Sequence, residues 1–361
     1  MDAVFLERAC ELAQRGEGST APNPPVGAVI VRERRTLGEG FHRARGSAHA
    51  EVEAIDDARN RGHDLRGATL YVTLEPCDHH GATPPCTDAV LAAGCSRVVV
   101  GASDPNPKTA GAGIARLRAG GVDIVLADDA RSHALIESFS VWIRSMRPYV
   151  TLKMAASIDG YVAPQPGSHW LTGAASRERV RELRTQHDAV MVGAGTIRVD
   201  DPQLTVRPPH ARRKPYLRIV GCEDAPVPAT SRVFEPAPGY ARTIVLSPAG
   251  TRDRFKPLEK VADCRYVEDG DRLDLTAALG SLKEAGVSSI LCEGGPTLAA
   301  GLLRSGLVDR VIWLLAPVFL ASERAVPALA RGQGALGTWK FDSIEQVGED
   351  LWLTAKPSSD V

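Results

Sequence analysis

Four residues in the first quarter of the chain have the types and the spacing for metal-assisted hydrolysis: His49, Glu51, Cys77 and Cys86. His49-Ala50-Glu51 opens a stretch of helical spacing. Pro76-Cys77 stands about 25 residues later, after an apolar run, and Cys86 opens the next helical stretch. Zinc draws its ligands from imidazole and thiolate, with carboxylate as an occasional substitute, and a catalytic zinc keeps its fourth position for water. His49, Cys77 and Cys86 supply three such ligands. Cysteines near helix starts favour the thiolate, because a helix N-terminus carries partial positive charge. Glu51 lies two residues from His49, an offset that separates side chains in mid-helix. In the first turn both can face one pocket, and the carboxylate then has the chemistry to carry a proton to a leaving amine. His79 and His80 are competing ligands within the intercysteine loop. Cys86 is preferred, since pairing Cys77 with His80 leaves Cys86 without a role. Cys10, Cys95, Cys222, Cys264 and Cys292 read as small buried hydrophobes. A non-catalytic zinc module is the alternative, and it requires a fourth protein ligand.

A second set of polar residues gathers later in the chain. Gly294-Gly295 follows an apolar strand and precedes a helix, where backbone N–H groups can approach a phosphate. By itself a Gly-Gly-Pro turn is also plain punctuation, and it is not the G-x-G-x-x-G dinucleotide fingerprint. Lys153 to Gly160, Ser168 to Thr172 and Gly193 to Arg207 likewise follow apolar runs. Polar residues beyond the C-terminal ends of strands are where open α/β sheets bind ligands.

The elements that must position these residues alternate along the chain. Val4, Leu6, Ala9, Leu12 and Ala13 recur at helical spacing. Strands are predicted over 27–31, 69–73, 97–100 and 123–126, and helices over 49–59, 87–93, 114–119 and 130–145. A boundary near residue 146 gives domains 1–145 and 146–361. Beyond it, strands are predicted over 149–155, 189–192, 217–220, 243–246, 289–292 and 310–316, with helices over 176–186, 273–285 and 297–305. This is an α/β layered pattern.

Composition narrows the function classes. The 361 residues are 43% hydrophobic and 24% charged, with a net charge of -1. That is enough apolar material for two cores, with no field to draw nucleic acid or an anionic membrane. A nucleic-acid binder or tRNA editor would show a basic surface and stacking aromatics, and aromatics are only 5%. No run approaches 18 apolar residues, and residues 1–15 lack the pattern of a secretory signal. Seven scattered cysteines point to a reducing compartment, here the cytoplasm.

Zinc deaminases of bases carry H-x-E with P-C-x-x-C, the glutamate not being a ligand. Here eight residues separate the cysteines. Pro22-Asn23-Pro24-Pro25-Val26-Gly27, His49-Ala50-Glu51, the stretch Thr73-Leu74-Glu75-Pro76-Cys77 through Gly81-Ala82-Thr83-Pro84-Pro85-Cys86, and Asp104-Pro105-Asn106-Pro107 resemble the deaminase domain of the bifunctional riboflavin-biosynthesis deaminase/reductase family. The second half is similar to that family's reductase domain, so the resemblance covers essentially the whole chain. It implies a cytidine-deaminase-like α/β/α sandwich with a mixed sheet, then a dihydrofolate-reductase-like α/β domain. It implies zinc on His49, Cys77 and Cys86, Glu51 as proton shuttle, and Asn23 on the pyrimidine edge. Taken alone, Asn23 reads equally well as a turn residue in a Pro-rich loop.

For the reductase half the resemblance implies NADPH at Ala155, Trp170, Thr196, Asp200 and the turn-helix Gly295, Pro296, Thr297, Leu298, Ala299, Ala300 and Gly301. It implies substrate at Ser168, Arg184, Leu204, Arg207 and Glu293, with Lys153 steadying the ribose hydroxyls. Arg184 and Arg207 suit a phosphate, whose oxygens match the guanidinium fork; a solvated helix face is the alternative for Arg184, and a turn cap for Asp200. Arg212-Arg213-Lys214 is either a contact for the 2′-phosphate or a solvated basic loop. The implied reactions are deamination of 2,5-diamino-6-(5-phosphoribosylamino)pyrimidin-4-one to 5-amino-6-(5-phosphoribosylamino)uracil, then reduction of the ribosyl to the ribityl chain. The implied assembly is a homo-oligomer. This chain departs from the family in having Gly221-Cys222-Glu223-Asp224 where an Asp-Ser pair is usual, Ile136 for Asn, Ala28 for Cys, and Glu53 for Asn or His. The first departure sets a glutamate at an expected NADPH contact and leaves a second reading, a deaminase with an altered or degenerate reductase.

Overall fold

The structure is a computed structural model that describes residues 2–81, 84–163, 171–206, 214–267, 272–332 and 336–358. Ser168, Trp170, Arg207, Arg212 and Arg213 lie outside the described residues. Contacts divide the chain into two compact units, Met1–Ser145 and Met146–Val361.

In the first unit the order is α1 (Asp2–Gln14), β1 (Gly27–Arg32), β2 (Arg35–Phe41), α2 (Ala50–Asn60), β3 (Thr69–Leu74), α3 (Cys86–Ala93), β4 (Arg97–Ala102), α4 (Ala112–Ala119), β5 (Asp123–Leu126), α5 (Ala130–Leu135) and α6 (Glu137–Arg144). Among the described residues its strands make a mixed sheet ordered β2-β1-β3-β4-β5. Pairing is antiparallel from β1 to β2 and β3, and parallel from β3 through β4 to β5. Successive strand residues face opposite sides. Ile30, Leu70, Val72, Val98 and Val100 pack with Ala54, Ile55 and Val90 of α2 and α3. Val29, Val31, Tyr71 and Val99 pack with Leu6, Ala9 and Leu12 of α1. Covering both faces is what makes these strands read as continuous apolar runs.

The second unit runs β6 (Tyr149–Ser157), β7 (Tyr161–Ala163), α7 (Ala174–Thr185), β8 (Ala189–Gly193), α8 (Ala194–Asp200), β9 (Leu217–Gly221), β10 (Ile244–Pro248), α9 (Arg252–Phe255), β11 (Asp263–Val267), α10 (Leu275–Glu284), β12 (Ser289–Cys292), α11 (Pro296–Arg304), β13 (Arg310–Ala316), β14 (Val326–Pro327), β15 (Trp339–Val347) and β16 (Asp350–Pro357). The main sheet is ordered β11-β10-β9-β8-β12-β6-β13-β16-β15 among the described residues. It is parallel from β11 to β13, and the β15–β16 hairpin adds antiparallel to β13. β7 and β14 pair separately. One face packs Leu152, Met191, Ile219 and Leu246 against Leu279, Leu282, Ala299 and Leu302. The other packs Val190, Val192, Val220 and Val245 against Ile197, Phe255 and Leu258.

Several elements differ from expectation. Val4 is 62% exposed and does not join the buried face of α1. The helix predicted over 130–145 is two helices. Asp129 caps α5 by accepting from Ser132 N at 2.9 Å, and the break falls at buried Ile136, whose φ and ψ are -102° and 7°. Strands β2, β7, β11, β14, β15 and β16 and helices α8 and α9 were not anticipated. β2 reads Arg-Thr-Leu-Gly-Glu-Gly-Phe, and its two glycines dilute the alternation that would mark a strand. No helix among the described residues is long and apolar enough to cross a membrane.

Asp188 ties the N-terminal ends of the central strands. Its Oδ2 accepts from Ser288 N and Ser288 Oγ, both at 2.7 Å, and from Lys214 Nζ at 3.0 Å. Burial raises its pKa, but the Lys214 charge and the Ser288 donors outweigh that and hold the carboxyl below its ordinary value. A carboxylate so depressed stabilises the fold above its unfolded pKa, and the benefit is lost as pH falls through the folded value. Asp188→Asn should cost about 3 kcal/mol in urea unfolding at pH 7. The gap from wild type should narrow below the usual carboxylate range, where wild type protonates too.

Candidate active sites

His49 is the N-cap of α2, with extended φ and ψ of -77° and 164°. Its ring therefore leaves the helix axis, while Glu51 sits in the first turn, 3% exposed. Cys86 is the first residue of α3, capped by Pro85. Cys77 follows β3 by three residues, and its Sγ accepts from Cys86 N at 3.4 Å. Both sulfurs thus lie at the start of α3. His49 Nδ1 is 3.1 Å from Cys86 Sγ and 3.5 Å from Cys77 Sγ, and the three ligand atoms lie within 4.8 Å of one another. A tetrahedral zinc would set nitrogen about 3.5 Å from sulfur and the sulfurs about 3.8 Å apart, given its bond lengths. The donor set fits that ion.

A hydrogen bond from Cys86 holds the Cys77 thiol down, and the same bond together with burial pushes Cys86 up. Glu51 is pushed up to about 7, first by burial and then by the Cys77 charge. His79 and His80 are exposed and lie outside this cluster. Glu53 forms a surface pair with Arg43 at 3.1 Å.

Asn23 is held by a residue that sequence reasoning missed. His42 is 2% exposed, its Nδ1 donates to Ala48 O at 3.1 Å, and its ring meets His49 edge-on at 5.2 Å. Its Nε2 is then an acceptor, and Asn23 Nδ2 donates to it at 3.2 Å. That leaves Asn23 Oδ1 to accept from a ligand.

In the second unit some of the expected residues, Lys153, Arg184, Glu293, Gly295 and Thr196, lie on or near β6, β8 and β12. Glu293 directly follows β12 and grips Arg184 of α7, with Nε–Oε1 at 2.5 Å and Nη2–Oε2 at 2.9 Å. Arg184 is thus not a solvated helix residue, and two of its five N–H groups remain for a ligand. Burial raises the Glu293 pKa, but Arg184 outweighs it and the net shift is downward. Lys153 is half-buried near both; burial pushes its pKa down against the pull of Glu293. Gly294 and Gly295 have φ of 83° and 92°, a conformation that suits glycine. Gly294 O accepts from Gly193 N at 3.2 Å and from Thr196 Oγ1 at 3.5 Å, which sets Thr196 beside the start of α11.

Other expected positions fare differently. Ala299 and Ala300 have no exposed surface and pack the core, whereas Pro296, Thr297 and Leu298 at the start of α11, and Gly301, keep some. Leu204 is 4% exposed, its side chain in the core and its φ at 54°. Asp200 ends α8 on the surface, and it is Asp201 that braces the next loop by accepting from Arg232 N at 2.8 Å. Lys214 serves Asp188. Glu223 pairs with Arg272 at 3.4 Å, and Cys222 is core.

Tyr240 and Arg218 were not anticipated. Tyr240 OH accepts from Val206 N at 2.5 Å, while Arg184 Nη1 donates to Thr205 O at 2.8 Å. Arg218 is 2% exposed, stacks 5.3 Å from the Tyr240 ring, and donates to Glu235 O at 3.0 Å and Gln203 O at 3.5 Å. The 203–206 turn is thereby held at three residues. The one available signal was a charge inside the apolar strand Leu217–Gly221.

Residues 1–102 match the "Cytidine and deoxycytidylate deaminase zinc-binding region" family, and residues 148–353 match "RibD C-terminal domain". The "Riboflavin biosynthesis protein RibD" of Bacillus amyloliquefaciens is 38% identical, over 99% of this chain and 96% of that protein. A solved Acinetobacter baumannii RibD superposes with a TM-score of 0.85 at 33% identity, covering 99% of both chains. The Thermotoga maritima diaminohydroxyphosphoribosylaminopyrimidine deaminase/5-amino-6-(5-phosphoribosylamino)uracil reductase gives 0.85 at 34% identity, with 99% of both chains covered. The chain thus belongs to the RibD family of riboflavin biosynthesis proteins and carries its paired zinc-dependent deaminase and NADPH-dependent reductase.

Proposed function

We propose that the first unit deaminates 2,5-diamino-6-(5-phosphoribosylamino)pyrimidin-4-one, and that the second reduces the ribosyl chain of the resulting 5-amino-6-(5-phosphoribosylamino)uracil to ribityl. The observation that carries this reading is the convergence of His49, Cys77 and Cys86 beside buried Glu51. Zinc held by those three residues supplies Lewis-acid activation of water, and NADPH supplies the reducing equivalents. Glu51 takes a proton from the attacking water and delivers it to the amine nitrogen, so that the amine leaves as ammonia, the water oxygen stays as the ring carbonyl and the second water proton ends on the ring nitrogen. Asn23 Oδ1, oriented through His42, accepts from the pyrimidine edge. In the second unit the free N–H groups of Arg184, with Arg207, hold the 5-phosphate, and Lys153 and Glu293 orient the sugar hydroxyls. NADPH would be held by Ala155, Thr196, Asp200 and the Gly295–Thr297 turn together with Trp170, and Ser168 and Leu204 would complete the substrate contacts. Free cysteines suit a reducing, cytoplasmic setting, and a homo-oligomer is the proposed assembly.

The test follows ammonia release and NADPH oxidation separately, with zinc analysis of the same sample. Glu51→Gln should lower deamination about 10²–10⁴-fold, keep its zinc, and still oxidise NADPH on the deaminated intermediate. Undiminished ammonia release would remove Glu51 from the mechanism, and absent NADPH oxidation by wild type would remove the reductase reading. Tyr240→Phe frees Val206 N, and the loss of one hydrogen bond should raise the reductase KM about 3–10-fold with little change in kcat or in deamination.

A further inference from the structure

Two motifs of the first unit, Thr73-Leu74-Glu75-Pro76-Cys77 and Asp104-Pro105-Asn106-Pro107, have no shared role in the mechanism above. Glu75 joins them. It is 6% exposed and lies between the end of β3 and Cys77. Its Oε2 accepts from Asp104 N at 3.1 Å and Gly111 N at 3.0 Å, and its Oε1 accepts from Gly113 N at 3.1 Å and Ile114 N at 3.2 Å. Its own N–H donates to Ala102 O at 2.9 Å. One carboxylate thus takes up four backbone donors at and before the start of α4. The approach is close: a Cβ at Gly113 would drive into the Pro76 carbonyl oxygen. A second tie lies beyond the cysteine. Arg116 of α4 reaches Asp78 Oδ1 at 3.2 Å, and Thr87 Oγ1 donates to the same oxygen at 2.7 Å.

We infer that Glu75 is a positioning residue for the metal site, fixing the Pro76–Cys77 turn against α4 so that Cys77 Sγ is held at its place beside His49 and Cys86. The inference rests on the reading of Cys77 as a zinc ligand. Pro76 leaves no freedom at its own φ, so the setting of Glu75 is passed to the cysteine backbone. A glutamine at this position has one acceptor oxygen and an NH₂ group. Whichever way the amide turns, two of the four N–H groups lose their acceptor and face other donors. The turn must then move, and the sulfur with it. Partners that orient a ligand without touching the metal typically account for 10–100-fold in affinity.

The experiment uses the full chain, in which NADPH oxidation on the deaminated intermediate is the internal control for an intact second unit. Zinc affinity is read by competition with a chromophoric chelator, and ligand geometry by the thiolate charge-transfer bands of the cobalt-loaded protein. Glu75→Gln should bind zinc about 10–100-fold more weakly and shift the cobalt bands, lower the deamination kcat at saturating zinc, and leave reduction unchanged. Should the first unit of that variant fail to fold, Glu75→Asp keeps the charge but withdraws it by one methylene, and should release zinc at a rate above wild type. Wild-type affinity and unshifted cobalt bands in folded Glu75→Gln, or wild-type zinc release from Glu75→Asp, overturn the inference alone. A wild-type chain that takes up no zinc overturns the metal reading and this inference with it.

Discussion

Two sulfur atoms and an imidazole nitrogen within 4.8 Å of one another concentrate lone pairs in one part-buried place. Such a cluster is tolerable only with a cation or a shared proton in its midst. Much of the first unit answers to that constraint. Both sulfurs sit at the amino end of α3, whose partial positive charge favours a thiolate and whose first N–H donates to Cys77 Sγ. The imidazole comes from a cap position, where the backbone has not yet turned helical and the ring can swing toward α3. The Glu51 carboxyl, close by, is pushed toward neutrality by burial and by the thiolate charge. Metal uptake there is therefore linked to the loss of a proton.

The second unit treats buried charge differently. Two of its carboxylates pair with a cation: Glu293 with Arg184, and Asp188 with Lys214. Arg218 is held otherwise. Backbone carbonyls and an aromatic face surround it, and no carboxylate is bound to it among the described residues. That arrangement spends a buried cation on fixing a turn. The turn's neighbours in space, Arg184 and Glu293, belong to the ligand site, so rigidity there serves orientation.

What sequence made legible was chemistry confined to short motifs and elements with a regular apolar period. His49-Ala50-Glu51 and Pro76-Cys77 could be placed at helix starts and strand ends because the flanking runs are strongly apolar. Edge elements were not legible. β15 exposes Phe341 and Ile344, and its polar alternates mark no buried face. Helix α5 was merged with α6 because the apolar period runs through Ile136, while the break depends on local backbone angles. His42, Tyr240 and Arg218 act through contacts formed only on folding, such as Tyr240 with Val206, 34 residues apart. Leu204 was expected from a resemblance that names the position and not the atom, and its side chain turns inward.

The strand order of the second unit has a consequence for synthesis. β6 opens that unit, yet its two neighbours in the sheet are β12 and β13, which begin at Ser289 and Arg310. That strand therefore waits, unpaired, while more than a hundred further residues leave the ribosome. Pairings so distant along the chain are slow to close. The first unit, whose strands all precede residue 127, can complete its sheet during that interval, so the chain acquires its hydrolytic half before its redox half.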